Sequence, residues 1–438
     1  MADQSAAETG CRIDRIDFHG WQAVRLSNGI VDLVAVPDVG GRIMAYDLGD
    51  YPFLWFDRNL AGKLFSAEEN MGDGSIAAWK NYGGGKTWPA PQGWDRPDQW
   101  HGPPDPVLDT GPYTLEIVNP SAAAASIRMT SQPDPRTGVQ ISRQISLHAG
   151  GGRVNLRLEM TNVSDQVRTW SIWDIVQVDA TSRDPEGAES HSEQAWLYIP
   201  TNPESVFDRG YNVMFGDDDN PEWQAEVRPN LLGAQYLYRL GKLGVDSPAG
   251  WIAFVNQATD YAFCQCFAYF PGEDYPDDGA SVECWTTGHG EIVGGLDFGK
   301  LNLFHVEAEI LGPLRTMAPG ESQSLEIDWY VARCPGPIVN VTPAGCAHQP
   351  LNAESIDAGI RLTGVFGLFH LGNVQLVWLD GNERTLATET LALVNPLNVL
   401  RVDCVRRPPP GARVAQLLLC DAQGQPISPL DDCCIPNS

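Results

Sequence analysis

Arg153-Val154-Asn155-Leu156-Arg157-Leu158-Glu159-Met160 alternates polar and apolar side chains without a break. Successive side chains of a strand leave on opposite faces, so this octapeptide describes a strand with one wet face and one buried face. The same period of two returns in Ser324-Leu325-Glu326-Ile327-Asp328-Trp329-Tyr330-Val331, entered through the turn Pro319-Gly320. Near the start, Asn28-Gly29 separates two β-rich runs, as the turn of a hairpin does. Amphipathic helix patterns are nearly absent, and the fold class that follows is all-β and antiparallel.

A chain of 438 residues exceeds one ordinary domain. After Arg333 the composition changes to Cys334-Pro335-Gly336-Pro337 and then Thr342-Pro343-Ala344-Gly345. Proline removes donors and glycine loosens the backbone, so 336–350 reads as a linker without regular structure. The large β region then spans 12–335. Residues 351–434 carry short β runs, the turn Asp380-Gly381 and the break Pro408-Pro409-Pro410, which reads as a small C-terminal β-sandwich.

A formal charge of -27 repels phosphate backbones and anionic lipid, so nucleic acid and membrane surfaces are not expected partners. The N-terminus lacks a basic start followed by an apolar core, and the expectation is a cytoplasmic protein. Ten cysteines fall at neither disulfide-framework nor zinc spacing. The acidic loops at 216–220 and 273–279 miss the spacing of an EF-hand. No metal or cofactor is expected, calcium in those loops being the alternative.

Residues 79–101, WKNYGGGKTWPAPQGWDRPDQWH, hold four of the fourteen tryptophans (79, 88, 94 and 100) and, in Lys80 and Lys86, two lysines. Glycine and proline are dense enough that the segment reads as a loop. Indoles offer flat apolar faces while Asn81, Lys86 and His101 offer polar ones, the combination that a sugar or glycan requires. The alternative is an Ω-type loop packed on its own tryptophans. Gly83-Gly84-Gly85-Lys86-Thr87 lacks the spacing and following helix of a phosphate-cradling loop.

In Leu303-Phe304-His305-Val306-Glu307-Ala308-Glu309-Ile310, strand alternation puts His305, Glu307 and Glu309 on one face. That face is either a solvated exterior or the floor of a cleft with a glutamate as base and His305 as acid. Glu283 and Trp285 share a face in the same way, and His289 follows between Gly288 and Gly290. Glu283 then either joins Glu307 as a reacting pair or is paired with an arginine on a neighbouring strand.

Taken in order, Asn28-Gly29-Ile30-Val31-Asp32-Leu33, Val39-Gly40-Gly41-Arg42-Ile43, Asn81-Tyr82-Gly83-Gly84-Gly85-Lys86-Thr87-Trp88, Met160-Thr161-Asn162-Val163 and His305-Val306-Glu307 resemble the galactose-mutarotase-like supersandwich over about residues 12–333. The likeness is greatest to a little-characterised bacterial branch. The resemblance implies a large antiparallel supersandwich whose concave face holds a sugar. In aldose epimerases a histidine protonates the ring oxygen and a glutamate takes the anomeric proton. The histidine is due about a dozen residues after Thr161-Asn162, where this chain reads Trp170-Ser171-Ile172-Trp173-Asp174-Ile175. The resemblance therefore leaves the acid role open to His101, Lys86 or His289, with Glu283 or Glu307 as base. Arg42, Asn81, Tyr82, Trp88, Trp94, Trp100, Trp173, Trp285 and His305 are the substrate-binding candidates. The expected function is an epimerase, lyase or hydrolase acting on a saccharide by acid/base chemistry. A non-catalytic carbohydrate-binding or assembly module is the alternative.

Overall fold

The computed structural model describes residues 10–93, 96, 98–118, 120–290 and 297–436. They divide into two compact units. One contains the chain up to Ala149, Val154–Phe254 and Gln265–Trp329, and the other contains Gly150–Arg153, Val255–Cys264 and the chain from Tyr330 onward.

Two large antiparallel sheets dominate. The first has ten strands in one path: β1 (Arg12–Phe18), β2 (Trp21–Ser27), β3 (Val31–Val36), β4 (Arg42–Leu48), β5 (Gly85–Ala90), β6 (Arg168–Asp179), β7 (Asn212–Phe215), β8 (Gly241–Val245), β9 (Val282–Thr286) and β10 (His305–Leu311). Across the sheet they lie in the order β1-β2-β3-β4-β5-β6-β10-β9-β8-β7. β1 to β4 form a meander, with the Asn28-Gly29 turn between β2 and β3 and Gly29 in the left-handed region at φ 80°. Long connections then return distant segments to the middle of the sheet.

The second sheet, of ten strands, seats the two alternating stretches side by side: Val154–Asn162 pairs with Ser322–Arg333, Leu156 opposite Ile327 and Leu158 opposite Leu325. All four of these side chains are buried, each contributing about 1.5–3 kcal/mol. Arg157 and Glu326, between them in sequence, are exposed and paired at 3.6 Å. Arg143, on Val139–His148 of this sheet, is fully buried and donates from Nη1 to the Gly85 carbonyl of β5 at 3.0 Å. It thereby ties one sheet to the other at the strand that begins the site.

Two expectations are corrected. The segment 79–101 is not a loop throughout, because its middle is β5. Pro89 is tolerated there because the ladder to β4 is the single pair Ile43 and Gly85, so beyond Gly85 the β4 side makes no demand for a proline N–H. The stretch 336–350 does not lack regular structure either: it holds the strand Asn340–Thr342 and the first half of Gly345–Ile356. Pro343 occupies the turn between them, and Pro350 falls at a register irregularity between Gln349 and Asn352, where no regular ladder bond is lost.

Towards the C-terminus, a pair of four-stranded antiparallel sheets forms a small sandwich. Leu362, Phe366, Leu376, Leu417 and Leu419 are buried in its core. Among the described residues no helix is long and apolar enough to cross a membrane.

Candidate functional site

Register alone builds one wall. Trp173 of β6 stands opposite Trp88 of β5, and Ile175 opposite Lys86. On the other side of β6, Gln177 faces Glu307 and Ile175 faces Glu309. β10 continues to β9 with Glu307 opposite Trp285 and Glu309 opposite Glu283, and Trp285 in turn stands opposite Lys242 of β8. Directly opposed residues share a sheet face, so five strands project indoles, carboxyls and two lysines to the same side. The whole of β10 is buried, including its ionisable face.

The ionisable groups form two clusters. In the first, Lys86 Nζ lies 3.3 Å from Glu307 Oε1 and 4.1 Å and 5.1 Å from the ring centroids of Trp88 and Trp79. Gln177 Nε2 donates to the same Glu307 oxygen and, at 3.1 Å, to His305 Nε2. An amide nitrogen is only a donor, so this contact leaves the imidazole proton on Nδ1. His305 also stacks on Trp55 at 4.3 Å between centroids. Burial pushes the imidazole down to about 3, against the opposing pull of Glu307, so it is neutral at ordinary pH. Burial alone would raise Glu307, but Lys86, His305 and the Gln177 amide together hold its carboxyl below the usual range.

In the second cluster, Lys242 Nζ bridges Glu283 Oε2 at 2.6 Å and Glu309 Oε2 at 3.1 Å, and sits 4.2 Å from the Trp173 ring centroid. The Trp173 indole donates to Glu309 at 2.9 Å. Burial raises the carboxyls of Glu283 and Glu309, with Lys242 opposing. Asp277, in the turn Asp277–Gly279, is also raised by burial against the pull of Lys242.

Between the clusters lies a cavity of about 270 Å³. Trp79, Trp88, Trp173, Trp285, Phe215 and Phe298 supply most of its apolar wall, and Asn81, Gln177, Lys242, Asp277, His305 and Glu307 supply polar groups. Its size is just below the roughly 300–1,000 Å³ common for small-molecule sites.

A family model described as Domain of unknown function (DUF4380) matches residues 21–332, most of the chain. The chain belongs to the DUF4380 family. No curated protein matches it. Among solved structures, a putative aldose 1-epimerase from Klebsiella pneumoniae is similar over 73% of this chain and 83% of its own, at 12% identity and a TM-score of 0.50. A galactose mutarotase-like protein from Clostridium acetobutylicum covers 74% and 99%, at 11% identity and a TM-score of 0.46. A TPR-domain containing protein from Parabacteroides distasonis covers 74% and 49%, at 12% identity and a TM-score of 0.48. The DUF4380 chain thus spans about half the length of this last protein. Similarity at these identities speaks for the fold alone, which is galactose-mutarotase-like.

Within this DUF4380 chain, Trp88, Asn81, Trp173, Trp285, His305 and Glu307 line the cavity together. Lys86 is 2% exposed and stands behind the wall, under Trp79 and Trp88. Glu283 lies deeper, held by a lysine and not by an arginine. Trp100 is buried against Trp88 at 4.6 Å, and its indole donates to Asp105. Tyr82 packs in a separate core group with Trp21. Arg42 is fully buried, donates to the Gly83 carbonyl and pairs with Asp109, whose other oxygen accepts from the Trp79 indole at 2.8 Å. It therefore positions a wall residue from behind. His101 and His289 are exposed and line no part of the cavity. Trp94 lies outside the described residues. Sequence reasoning passes over Gln177, Lys242 and Asp277 as site residues, and no local pattern marks them; alternation places Glu309 on the ionisable face of β10 without singling it out for a role.

Proposed function

We propose that this DUF4380 protein is carbohydrate-active and works on a single sugar ring by acid/base chemistry, with Glu307 as base and Asp277 as acid. The observation that carries the reading is that two carboxyl groups of one indole-walled cavity are driven in opposite directions, Glu307 down and Asp277 up. Environments that separate two pKa values in this way assign a base and an acid. Indole faces stack on the apolar face of a pyranose, and the neutral His305, with its free Nδ1–H, donates to a ring hydroxyl. In anomeric exchange, Glu307 takes the proton of the anomeric hydroxyl, the bond from the anomeric carbon to the ring oxygen breaks, and Asp277 delivers its proton to that oxygen. β-Elimination and hydrolysis call on the same pair.

The test is to incubate the protein with neutral and uronic sugars and oligosaccharides, reading anomeric exchange by NMR, elimination by the unsaturated product, and hydrolysis by new reducing ends. One of the three should be accelerated, and Glu307→Gln should slow it by about 10²–10⁴-fold. Failure of every sugar to bind or react would falsify the reading. Binding without turnover is the second reading, favoured by the ion pairs that already occupy Glu307, Glu283 and Glu309. It predicts affinity that collapses in Trp88→Ala and survives Glu283→Gln.

A further inference from the structure

We infer that the ring worked on in this cavity is one end of an oligosaccharide, and that the next ring lies in a second hollow across the Trp55/His305 pair. The inference deepens the proposed carbohydrate function and rests on it. The second hollow, of about 340 Å³, continues the same sheet face. Gln177 and Asp179, two apart on β6, share that face, and Gln177 lines the first cavity while Asp179 lines the second. Across the ladder Gln177 stands opposite Glu307 and Asp179 opposite His305. The step from one hollow to the next is therefore two residues, about 7 Å, along both β6 and β10. Linked sugar rings lying along the two strands advance by steps of this order.

One pair of rings separates the hollows. Trp55 lines the second and lies 4.3 Å from His305, with 29° between the ring planes, and His305 lines the first. Trp55 also packs with Phe298 of the first hollow and Leu303 of the second. Its backbone is fixed to the same strand: the Trp55 N–H donates to the Gln177 carbonyl at 2.9 Å, and Leu54 bridges to Val178. An indole held in this way is a rigid platform on which a sugar face stacks without further ordering of the side chain.

The polar groups of the second hollow suit hydroxyls. Arg183 and Glu189 face each other across the hairpin of Thr181–Arg183 and Glu189–His191. Nε and Nη2 of the arginine reach one glutamate oxygen at 3.1 Å and 3.0 Å. Its remaining nitrogen, Nη1, stands 3.9 Å from Asp179 Oδ2, too far for a hydrogen bond between them. The other Asp179 oxygen already accepts from the Thr181 amide at 3.0 Å. A sugar hydroxyl seated there accepts from the guanidinium and donates to the carboxyl oxygen, using both of its functions. Arg58 and Asn59, both exposed, add further donors at the rim. Aromatic floor and paired polar groups thus recur in the second hollow as in the first.

The experiment is a tryptophan-fluorescence and calorimetric titration of the full chain at pH 7 with matched sugars of one and two rings. The sets are glucose with its β-1,4, α-1,4 and β-1,3 dimers, galactose and mannose with their β-1,4 dimers, and galacturonate with its α-1,4 dimer. In one set the disaccharide should bind at least about ten-fold more tightly than the monosaccharide. Arg58→Ala combined with Arg183→Ala alters only exposed side chains of the second hollow. In that variant the preference should shrink to within about two-fold while affinity for the monosaccharide is kept. A preference below ten-fold in every set, or one that survives the double substitution, overturns the inference and leaves the carbohydrate reading intact. No binding by any of these sugars overturns both.

Discussion

Lys86 is enclosed by Trp79, Trp88 and Glu307 and reaches almost no solvent. Replacing it by methionine keeps the stem's volume but strands a buried carboxylate, a change that costs about 3–5 kcal/mol when a buried pair is broken on one side. Urea unfolding of Lys86→Met at pH 7 should show a loss of this size. The pH dependence follows from the direction of the Glu307 shift. Its folded pKa lies below the unfolded value, so its contribution is complete above the ordinary carboxylate range and is lost as pH falls through the folded pKa. In Lys86→Met the acid limb of the stability curve should move to higher pH. His305, pushed down to about 3, is uncharged at ordinary pH, so it should contribute no limb to a pH-rate profile near the usual imidazole value of about 6.5, and His305→Gln should leave the limbs where they are. Alternation along β10 made the shared face of His305, Glu307 and Glu309 legible. Their partners were not, because Lys86 is 221 positions from Glu307 in the chain.

At the scale of elements, the triple glycine before β5 proves to be a close backbone crossing. Gly83 and Gly84 have φ of 94° and 73°, and a Cβ on them would lie 2.4 Å from the Trp55 carbonyl and 2.2 Å from the Ile43 carbonyl. Gly84→Ala should therefore destabilise the protein by about 2–4 kcal/mol, combining left-handed strain with overpacking. The same shift should displace Lys86 and Trp88, so sugar-induced fluorescence changes should weaken together with the denaturation midpoint. Glycine and proline density signalled a loop correctly on either side of β5 but concealed the strand itself. A proline is permitted there by the divergence of β4, and that divergence belongs to the neighbouring chain segment and not to Pro89.

For the whole molecule, Asp47 and Glu222 are two of the carboxyls that contribute to the response to mild acid. Burial, with Asp32 opposite it on the neighbouring strand, pushes Asp47 up to about 7. Burial likewise pushes Glu222 up to about 7, although it accepts hydrogen bonds from Thr286 and the Leu237 and Arg239 amides. For such groups the folded state holds more protons than the unfolded state between the two pKa values, so stability falls as pH rises through that window. Lowering pH from 8 to 6.5 should raise the melting temperature, with each group contributing about 1 kcal/mol or less, and Asp47→Asn should flatten the slope. From sequence alone follow the all-β class, the C-terminal sandwich and the faces of individual strands, because alternation, turn residues and composition are properties of neighbours along the chain. Apart from the Asn28-Gly29 hairpin, which strands lie beside one another was decided by the tertiary structure alone. The β5-β6-β10-β9-β8 order brings Gln177, Lys242 and Asp277 to Glu307, joining segments whose contact depends on long crossovers that leave no local pattern.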